Sequence, residues 1–145
     1  AGLMAIAFLA QGIIVARGGG PEEAAYLCLV AAGASAGFLV YNRHPAKVFM
    51  GNVAAMAFGA LLGSLALVTG TWAQLGIVAA VFIAEIMSDV LQIGYFKATG
   101  GRRILRMAPL HHHFEMGGHR ETTIVHWFWL AGAAAGLVAI FVTGQ

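Results

Sequence analysis

Residues 48–84 read VFMGNVAAMAFGALLGSLALVTGTWAQLGIVAAVFIA and carry no charged side chain. A helix that crosses the roughly 30 Å hydrocarbon core of a bilayer needs about 20 mostly apolar residues, so this run is too long for one crossing. The turn-forming sequence Thr-Gly-Thr at residues 69–71 and the interfacial Trp72 divide it. We therefore predict one span over residues 48–68 and a second over residues 73–96.

Three further stretches lack charge, and each is predicted to form a span: residues 1–16, 24–41 and 124–142. The chain is 60% hydrophobic and only 10% charged, with a mean hydropathy of +0.83, whereas a soluble domain carries about 25% charged residues. No stretch has the polar face of a water-exposed helix, which disfavours a soluble helical bundle. The predicted fold is an all-α polytopic membrane protein with about five transmembrane helices in a single membrane domain, residues 1–145.

The basic residues orient these spans in the membrane. Five spans place the loops at 17–23 and 68–72 on one side, and the loops at 41–47 and 97–123 on the other. Of the eight Lys and Arg residues, only Arg17 lies in the first pair of loops. Because cytoplasmic loops are enriched in Lys and Arg, the second pair is predicted to be cytoplasmic.

The first apolar stretch begins at Ala1 without a basic flank, which is unlike a signal peptide. A helix over residues 1–16 would rise about 24 Å, less than the thickness of the hydrocarbon core. We therefore expect further residues upstream of Ala1.

Glycines four residues apart occur in two of the spans. Gly33 is paired in this way with Gly37, and Gly132 with Gly136. This spacing lets helices approach closely in lipid. It predicts helix packing and carries no information about a substrate.

The longest polar segment, residues 97–123, contains three consecutive histidines at 111–113 and several arginines. Neighbouring side chains diverge by about 100° in a helix and alternate in a strand, so the three histidines are poorly placed to bind one metal ion. Imidazoles beside guanidinium groups suit a polyanion, because both donate hydrogen bonds to phosphate oxygens. The alternative is a basic loop that only fixes topology or contacts anionic lipid head groups.

A second polar segment, residues 41–52, lies on the same predicted side. Pro45 ends the preceding helix, and Gly51 allows a close approach of backbone or ligand. Amide and stacking contacts to a nucleobase are available from Asn42, Phe49 and Asn52. The alternative for Phe49 is a membrane-boundary anchor.

Two carboxylates lie within a predicted span. Glu85 and Asp89 are four residues apart and share a helix face, with Gln92 nearly on the same face. Carboxylates inside a membrane are costly, so they are expected to face a cavity or a partner. The alternatives are a protonated or Ser-paired carboxyl packed against another helix and the proton relay of a transporter.

Two motifs carry a family resemblance: Asn-Arg-His-Pro-Ala-Lys-Val-Phe-Met-Gly at 42–51, and Arg-Met-Ala-Pro-Leu-His-His-His-Phe-Glu at 106–115. Together they resemble the C-terminal half of the phospho-N-acetylmuramoyl-pentapeptide transferase family. The second motif is specific to this branch, since the related polyprenyl-phosphate N-acetylhexosamine-1-phosphate transferases arrange their histidines differently. The resemblance covers essentially the whole chain and about half of a family member.

The resemblance implies an activity and a location. Family members are ten-helix enzymes of the bacterial cytoplasmic membrane, multi-pass, with a cytoplasmic active face. They transfer phospho-MurNAc-pentapeptide from its UDP carrier to undecaprenyl phosphate, giving lipid I and UMP with Mg²⁺. The implied partners are these two substrates, the lipid bilayer, and either a second copy of the chain or an N-terminal half; nucleic acid is not expected.

The resemblance also implies roles for individual residues. The implied catalytic residues are His111, His112, His113 and Asn52. The three histidines would also bind the pyrophosphate. The substrate-binding positions are Asn42, Phe49, Gly51, Gln92 and Ala108, with Phe49 stacking on uracil.

Several positions depart from the family pattern. Asn52 replaces an Asp that binds Mg²⁺ or acts in catalysis, and an amide offers one neutral oxygen but neither a negative charge nor a base. His119 replaces a Trp, and Trp127 stands where an Arg is expected. The family's acidic pair and Asp-rich loop would lie upstream of Ala1. The alternative function is therefore a non-catalytic relative that binds nucleotide or polyprenyl phosphate, or that pairs with another membrane protein.

Overall fold

A computed structural model describes residues 1–143, and all regular secondary structure in this range is α-helical. The helices are α1 (Gly2–Arg17), α2 (Glu22–Asn42), α3 (Gly51–Val68), α4 (Trp72–Val78), α5 (Ala80–Ala98), α6 (Leu110–Met116) and α7 (Glu121–Thr143). The predicted all-α fold class is confirmed.

Length and composition identify the membrane helices. Three of them, α2, α3 and α7, are long and apolar enough to cross a membrane, and α4 with α5 makes a fourth if the pair is one broken span. The apolar helix α1 is shorter, with 16 residues. Together with the composition, these helices make the chain a multi-pass membrane protein.

Two features of the helices differ from the pattern expected from sequence. The stretch predicted as one span over residues 73–96 is interrupted at Ala79, directly after Gly76, Ile77 and Val78, whose residue types have low helix propensity. The polar segment 97–123, read as a loop, contains the short helix α6.

The described residues fall into two compact units, one formed by 1–79 with 129–143 and the other by 80–128. In the first unit α1 is the most deeply buried helix, with Phe8 and Ile14 fully covered. The Phe8 ring meets Phe58 of α3 edge-on, with 5.8 Å between ring centroids. A Cβ placed on Gly136 of α7 would lie 3.0 Å from the Cβ of Ala10 in α1. The helices therefore approach closely at this glycine, as its spacing predicts.

A buried polar contact links α1 to the start of α4. The Gln11 side-chain amide donates a 2.5 Å hydrogen bond to the Thr71 hydroxyl, and Thr71 lies 2.8 Å from the Thr69 hydroxyl. Because water is absent from an apolar interior, a buried donor such as this N–H needs a protein partner. The Oε1 of Gln11 is buried without a hydrogen-bond partner among residues 1–143. The contact of Gln11 with Thr71 fixes the turn between α3 and α4 against α1.

The second unit contains α5, α6 and the first turns of α7. Here α5 contacts α6 and the segment that leads to it. The histidine motif therefore lies beside a long helix of the same unit.

Candidate active site

Helix α6 carries the three histidines and begins directly after Pro109. Proline suits a helix start because it has no backbone N–H to leave unpaired. The helix ends at Gly117, and Gly118 follows with a φ of +91°, a conformation that glycine adopts without strain. A helix of seven residues is too short to be stable alone. Its position therefore depends on its contacts with α5.

Three polar residues along one face of α5 provide these contacts. Glu85, Ser88 and Gln92 are spaced three and four residues apart, so they share that face. All three form hydrogen bonds with the segment 104–111. We call this set, Glu85, Ser88 and Gln92, the α5 ladder.

The lower part of the ladder is Gln92. Its Oε1 accepts hydrogen bonds from the backbone N–H groups of Ile104, at 3.1 Å, and Leu105, at 3.0 Å. Its Nε2 donates to the carbonyl of Leu105 at 3.1 Å. The amide is thus engaged at both ends by the protein's own backbone.

The upper part of the ladder holds the start of α6. The Ser88 hydroxyl accepts a 3.2 Å hydrogen bond from the backbone N–H of Leu110 and donates a 2.6 Å bond to the carbonyl of Glu85. The Glu85 carboxylate lies 2.6 Å from Nδ1 of His111. Sequence reasoning singled out Glu85 and Gln92 but gave Ser88 no role of its own, although its position three residues after Glu85 places it on the same face.

Every ring of the triplet is engaged through Nδ1. His111 bonds to Glu85, and His112 lies 2.7 Å from the carboxylate of Glu115. Nδ1 of His113 accepts a 3.1 Å hydrogen bond from the backbone N–H of Arg106. All three rings are partly exposed, so Nε2 of each ring is the atom left for a ligand.

These partners set different proton positions on the three rings. A carboxylate accepts, so Nδ1 of His111 and of His112 carries the proton, and Nε2 of the neutral ring is a bare proton acceptor. A backbone N–H donates, so the proton of neutral His113 lies on Nε2 and can be donated. Three neighbouring imidazoles thus present two acceptors and one donor.

A pocket of about 420 Å³ lies in the same unit. Its lining residues are Asp89, Gln92, Ile93, Phe96, Lys97, Arg103, Met107 and Ala108. The Arg103 guanidinium carbon lies 6.0 Å from the centre of the Phe96 ring. The pocket therefore combines an apolar, aromatic wall with two cations and one carboxylate.

Of the two α5 carboxylates, which were expected to face a cavity or a partner, one faces a partner and the other faces a cavity. Glu85 bonds to a histidine of α6, and Asp89 lines the pocket. Of the predicted substrate-binding residues, Gln92 and Ala108 also line the pocket. The Gln92 amide bonds to the loop backbone through Oε1 and through one N–H of Nε2, so its second N–H is the donor left for a ligand.

The other predicted site residues lie in the first unit, around the connection from α2 to α3. The Asn42 amide donates a 3.0 Å hydrogen bond to the carbonyl of Val48, which closes this loop. The Phe49 side chain is 80% exposed, so its ring is open to stacking. Gly51 has a φ of +66°, which a side chain would strain, and Asn52 follows it in the first turn of α3.

The residues that the structure describes do not provide a complete donor set for a metal ion. Among residues 1–143, no three His, Cys, Asp or Glu side chains converge so as to hold a metal ion. Asn52 would add one neutral oxygen, whereas Mg²⁺ is usually bound through one or two carboxylates. The described residues do not by themselves fit Mg²⁺.

Two departures from the family pattern lie in contact. The Trp127 ring meets His119 edge-on, with centroids 4.9 Å apart, and meets Phe114 of α6 in the same way at 6.1 Å. The sequence does not predict this contact, because His119 and Trp127 are eight residues apart with a turn between them, and no helical or strand periodicity relates them. The aromatic cluster of Phe114, His119 and Trp127 anchors the end of α6 to α7.

Comparisons with known proteins extend these observations. Residues 1–70 match the sequence model of glycosyl transferase family 4. The phospho-N-acetylmuramoyl-pentapeptide-transferase of Nitratidesulfovibrio vulgaris (strain DP4) is 46% identical over 123 residues, which are 85% of this chain and 34% of that protein. The protein of the same name from Heliobacterium modesticaldum is 45% identical over 139 residues, 96% of this chain and 40% of the relative.

A third such transferase, from Symbiobacterium thermophilum, is 47% identical over 131 residues, 90% of this chain and 39% of its own length. The chain thus spans between about a third and two fifths of the length of these curated relatives. This is less than the half that the sequence resemblance implied.

Proposed function

Since the chain is a part-length relative of the phospho-N-acetylmuramoyl-pentapeptide transferases, as its sequence predicted, we propose that it forms the histidine-bearing part of such an enzyme. The enzyme would transfer phospho-MurNAc-pentapeptide from its UDP carrier to undecaprenyl phosphate, giving lipid I and UMP. An N-terminal half would be required for this activity.

The observation that carries this proposal is the arrangement of the three α6 histidines. Each ring is fixed through Nδ1, so Nε2 is left for a ligand. Phosphoryl transfer depends mainly on positioning and on neutralising negative charge. The Nε2–H donor on His113 and the nearby arginines provide both functions for a pyrophosphate. The bare Nε2 atoms of His111 and His112 can accept a proton from a reacting group.

The UDP-linked substrate also needs a site for its base and sugar. The exposed ring of Phe49 supports a stacking role toward uracil. The pocket bounded by Phe96, Lys97 and Arg103 offers an aromatic wall with two cations, which suits a phosphate-bearing ligand.

The remaining parts of the proposal concern metal, membrane and partners. Mg²⁺ would bind only with carboxylates from outside this chain, because the described residues do not gather a sufficient set.

The protein would be placed in the bacterial cytoplasmic membrane with the α6 histidines on the cytoplasmic face, as the distribution of Lys and Arg supports. A second copy or an N-terminal half would complete the site.

A second candidate function is favoured by one residue. Asn52 cannot supply the charge or the base of the family's Asp. A non-catalytic relative that binds the nucleotide or polyprenyl phosphate would tolerate this amide.

Release of UMP tests the two candidates. The chain is reconstituted with the N-terminal part of the Heliobacterium modesticaldum relative, UDP-MurNAc-pentapeptide, undecaprenyl phosphate and Mg²⁺. The transferase proposal predicts UMP release that depends on the lipid acceptor, and a His113→Ala variant should lower the rate about 100-fold.

The matched variant is Asn52→Asp. A rate already present with Asn52 supports the enzyme, and turnover by Asn52→Asp alone supports the binding relative. If neither form releases UMP, although the full-length relative does so under the same conditions, the transferase proposal is wrong.

A further inference from the structure

The Glu85 side chain has a single hydrogen-bond partner in the part of the chain that the structure describes. Its Oε2 lies 2.6 Å from Nδ1 of His111, and its side chain is 20% exposed. Its Oε1 is buried and has no hydrogen-bond partner among residues 1–143. The carboxylate is thus withdrawn from solvent and directed at one imidazole.

The pair formed by His112 and Glu115 provides an internal comparison. Its separation is 2.7 Å, nearly the same, but both side chains are close to 40% exposed and lie three residues apart on α6. Solvent screens an exposed pair of this kind, and its net effect is small. The bond between Glu85 and His111 instead joins two helices, and a partly buried carboxylate exerts more control over its partner.

The neighbouring contacts strengthen this control. Ser88 binds the backbone N–H of Leu110, next to His111, and the Ser88 hydroxyl also bonds to the carbonyl of Glu85. The rings of His111 and His112 are 4.1 Å apart at their centroids. His111 is therefore held by backbone, carboxylate and neighbouring ring, in one orientation.

We infer that Glu85 is a positioning residue for His111: it keeps the proton on Nδ1 and aims an unprotonated Nε2 at the ligand. This role rests on the proposed transferase function for its chemical purpose. A carboxylate behind an imidazole fixes its tautomer and orientation and stabilises the imidazolium that forms when Nε2 takes a proton. Glu85 acts only through His111 and does not touch the substrate.

The tautomer of His111 tests this inference without any turnover. The chain is labelled with ¹⁵N-histidine in lipid nanodiscs, and spectra are recorded at a pH where imidazoles are neutral. A His111→Gln variant assigns the resonances of the ring. Wild type should show a protonated Nδ1 and a bare Nε2, and Glu85→Gln should move the ring toward the Nε2–H form.

Kinetics of the reconstituted enzyme supply the second readout. Glu85→Gln should lower kcat about 10- to 100-fold, with KM for the UDP-linked substrate changed less than about twofold. The control Glu23→Gln removes an exposed carboxylate at the start of α2 and should lower kcat less than about threefold. Should Glu85→Gln fail to fold, as judged by circular dichroism, Glu85→Asp keeps the charge and should give a mixture of both tautomers.

The outcomes separate this inference from the proposed function. An unchanged His111 tautomer in Glu85→Gln, or a kcat equal to wild type, overturns the positioning role. If the tautomer moves as expected but wild type transfers nothing, Glu85 still positions His111 and the transferase proposal fails.

Discussion

Gln92 borders the pocket while most of its hydrogen-bonding capacity is used by the protein's own backbone. Its amide forms three hydrogen bonds to the backbone of Ile104 and Leu105, and the side chain is 9% exposed. Gln92 lines the pocket, and its amide fixes the loop that carries Arg103.

Replacement of this amide has a defined consequence. Gln92→Leu should leave the N–H groups of Ile104 and Leu105 without an acceptor, at a cost of about 1–3 kcal/mol in local stability. Hydrogen exchange at these two amides should become faster, while exchange in α1 stays unchanged. Ile93→Ala, which alters the same pocket without this hydrogen bond, is the control. Equal exchange in wild type and Gln92→Leu would contradict the assignment.

The contact between His119 and Trp127 makes a second prediction at the level of residues. Trp127→Arg alone should lose two edge-on aromatic contacts, each worth about 0.5–1.5 kcal/mol, and lower the Tm in detergent. Adding His119→Trp places an indole ring beside the introduced guanidinium group. A cation–π contact can then form, so the double variant should recover much of the lost stability. The idea fails if the double variant loses as much stability as the two single changes added together.

Helix contacts in the first unit distinguish glycines that look alike in the sequence. An added Cβ at Gly136 would lie 3.0 Å from the Cβ of Ala10, which cannot rotate away, whereas no atom lies within 4 Å of one at Gly33. The sequence pattern alone gives the two positions the same role. Only the packing of α1 against α7 separates them.

Alanine at each position should therefore have opposite effects. Gly136→Ala should force α1 and α7 apart and cost about 1–3 kcal/mol. Gly33→Ala should raise stability by about 0.5–1 kcal/mol, since alanine suits a helix interior better than glycine. Thermal unfolding in matched detergent compares the two. A lower Tm for Gly33→Ala than for Gly136→Ala would contradict the packing.

The sequence predicts the elements unevenly, for physical reasons. Apolar length fixes where a helix exists, and the Thr-Gly-Thr turn at 69–71 falls between α3 and α4. The interruption at Ala79 could not be predicted, because it depends on a modest local loss of helix propensity inside an apolar run. Helix α6 was missed because its short sequence is polar and gains its stability from α5.

At the scale of the whole molecule, the site follows partly from the sequence. The histidine triplet and the α5 carboxylates are visible as polar groups in apolar surroundings. The pairing of Glu85 with His111 joins residues 26 apart, and no local pattern specifies which imidazole a helix will meet. The contacts that set the three tautomers therefore emerge only from the folded chain.

The chain combines an apolar composition with cations that are concentrated in one region. An apolar body holds the helices in lipid, and the few cations are concentrated near the histidines in the second unit, at Lys97, Arg102, Arg103 and Arg106. The reaction proposed above, between a charged nucleotide sugar and a lipid phosphate, needs both properties. The curated relatives are about two and a half to three times as long as this chain's matched region.

Transfer of labelled sugar phosphate into lipid tests this account most directly. UDP-MurNAc-pentapeptide labelled in the sugar is supplied to the chain reconstituted with the N-terminal part of a relative, and butanol-extractable label is counted. We predict label in the lipid phase in proportion to added undecaprenyl phosphate, with His113→Ala close to background. Label that stays in water while UMP is released, or no reaction at all beside an active full-length relative, would contradict it.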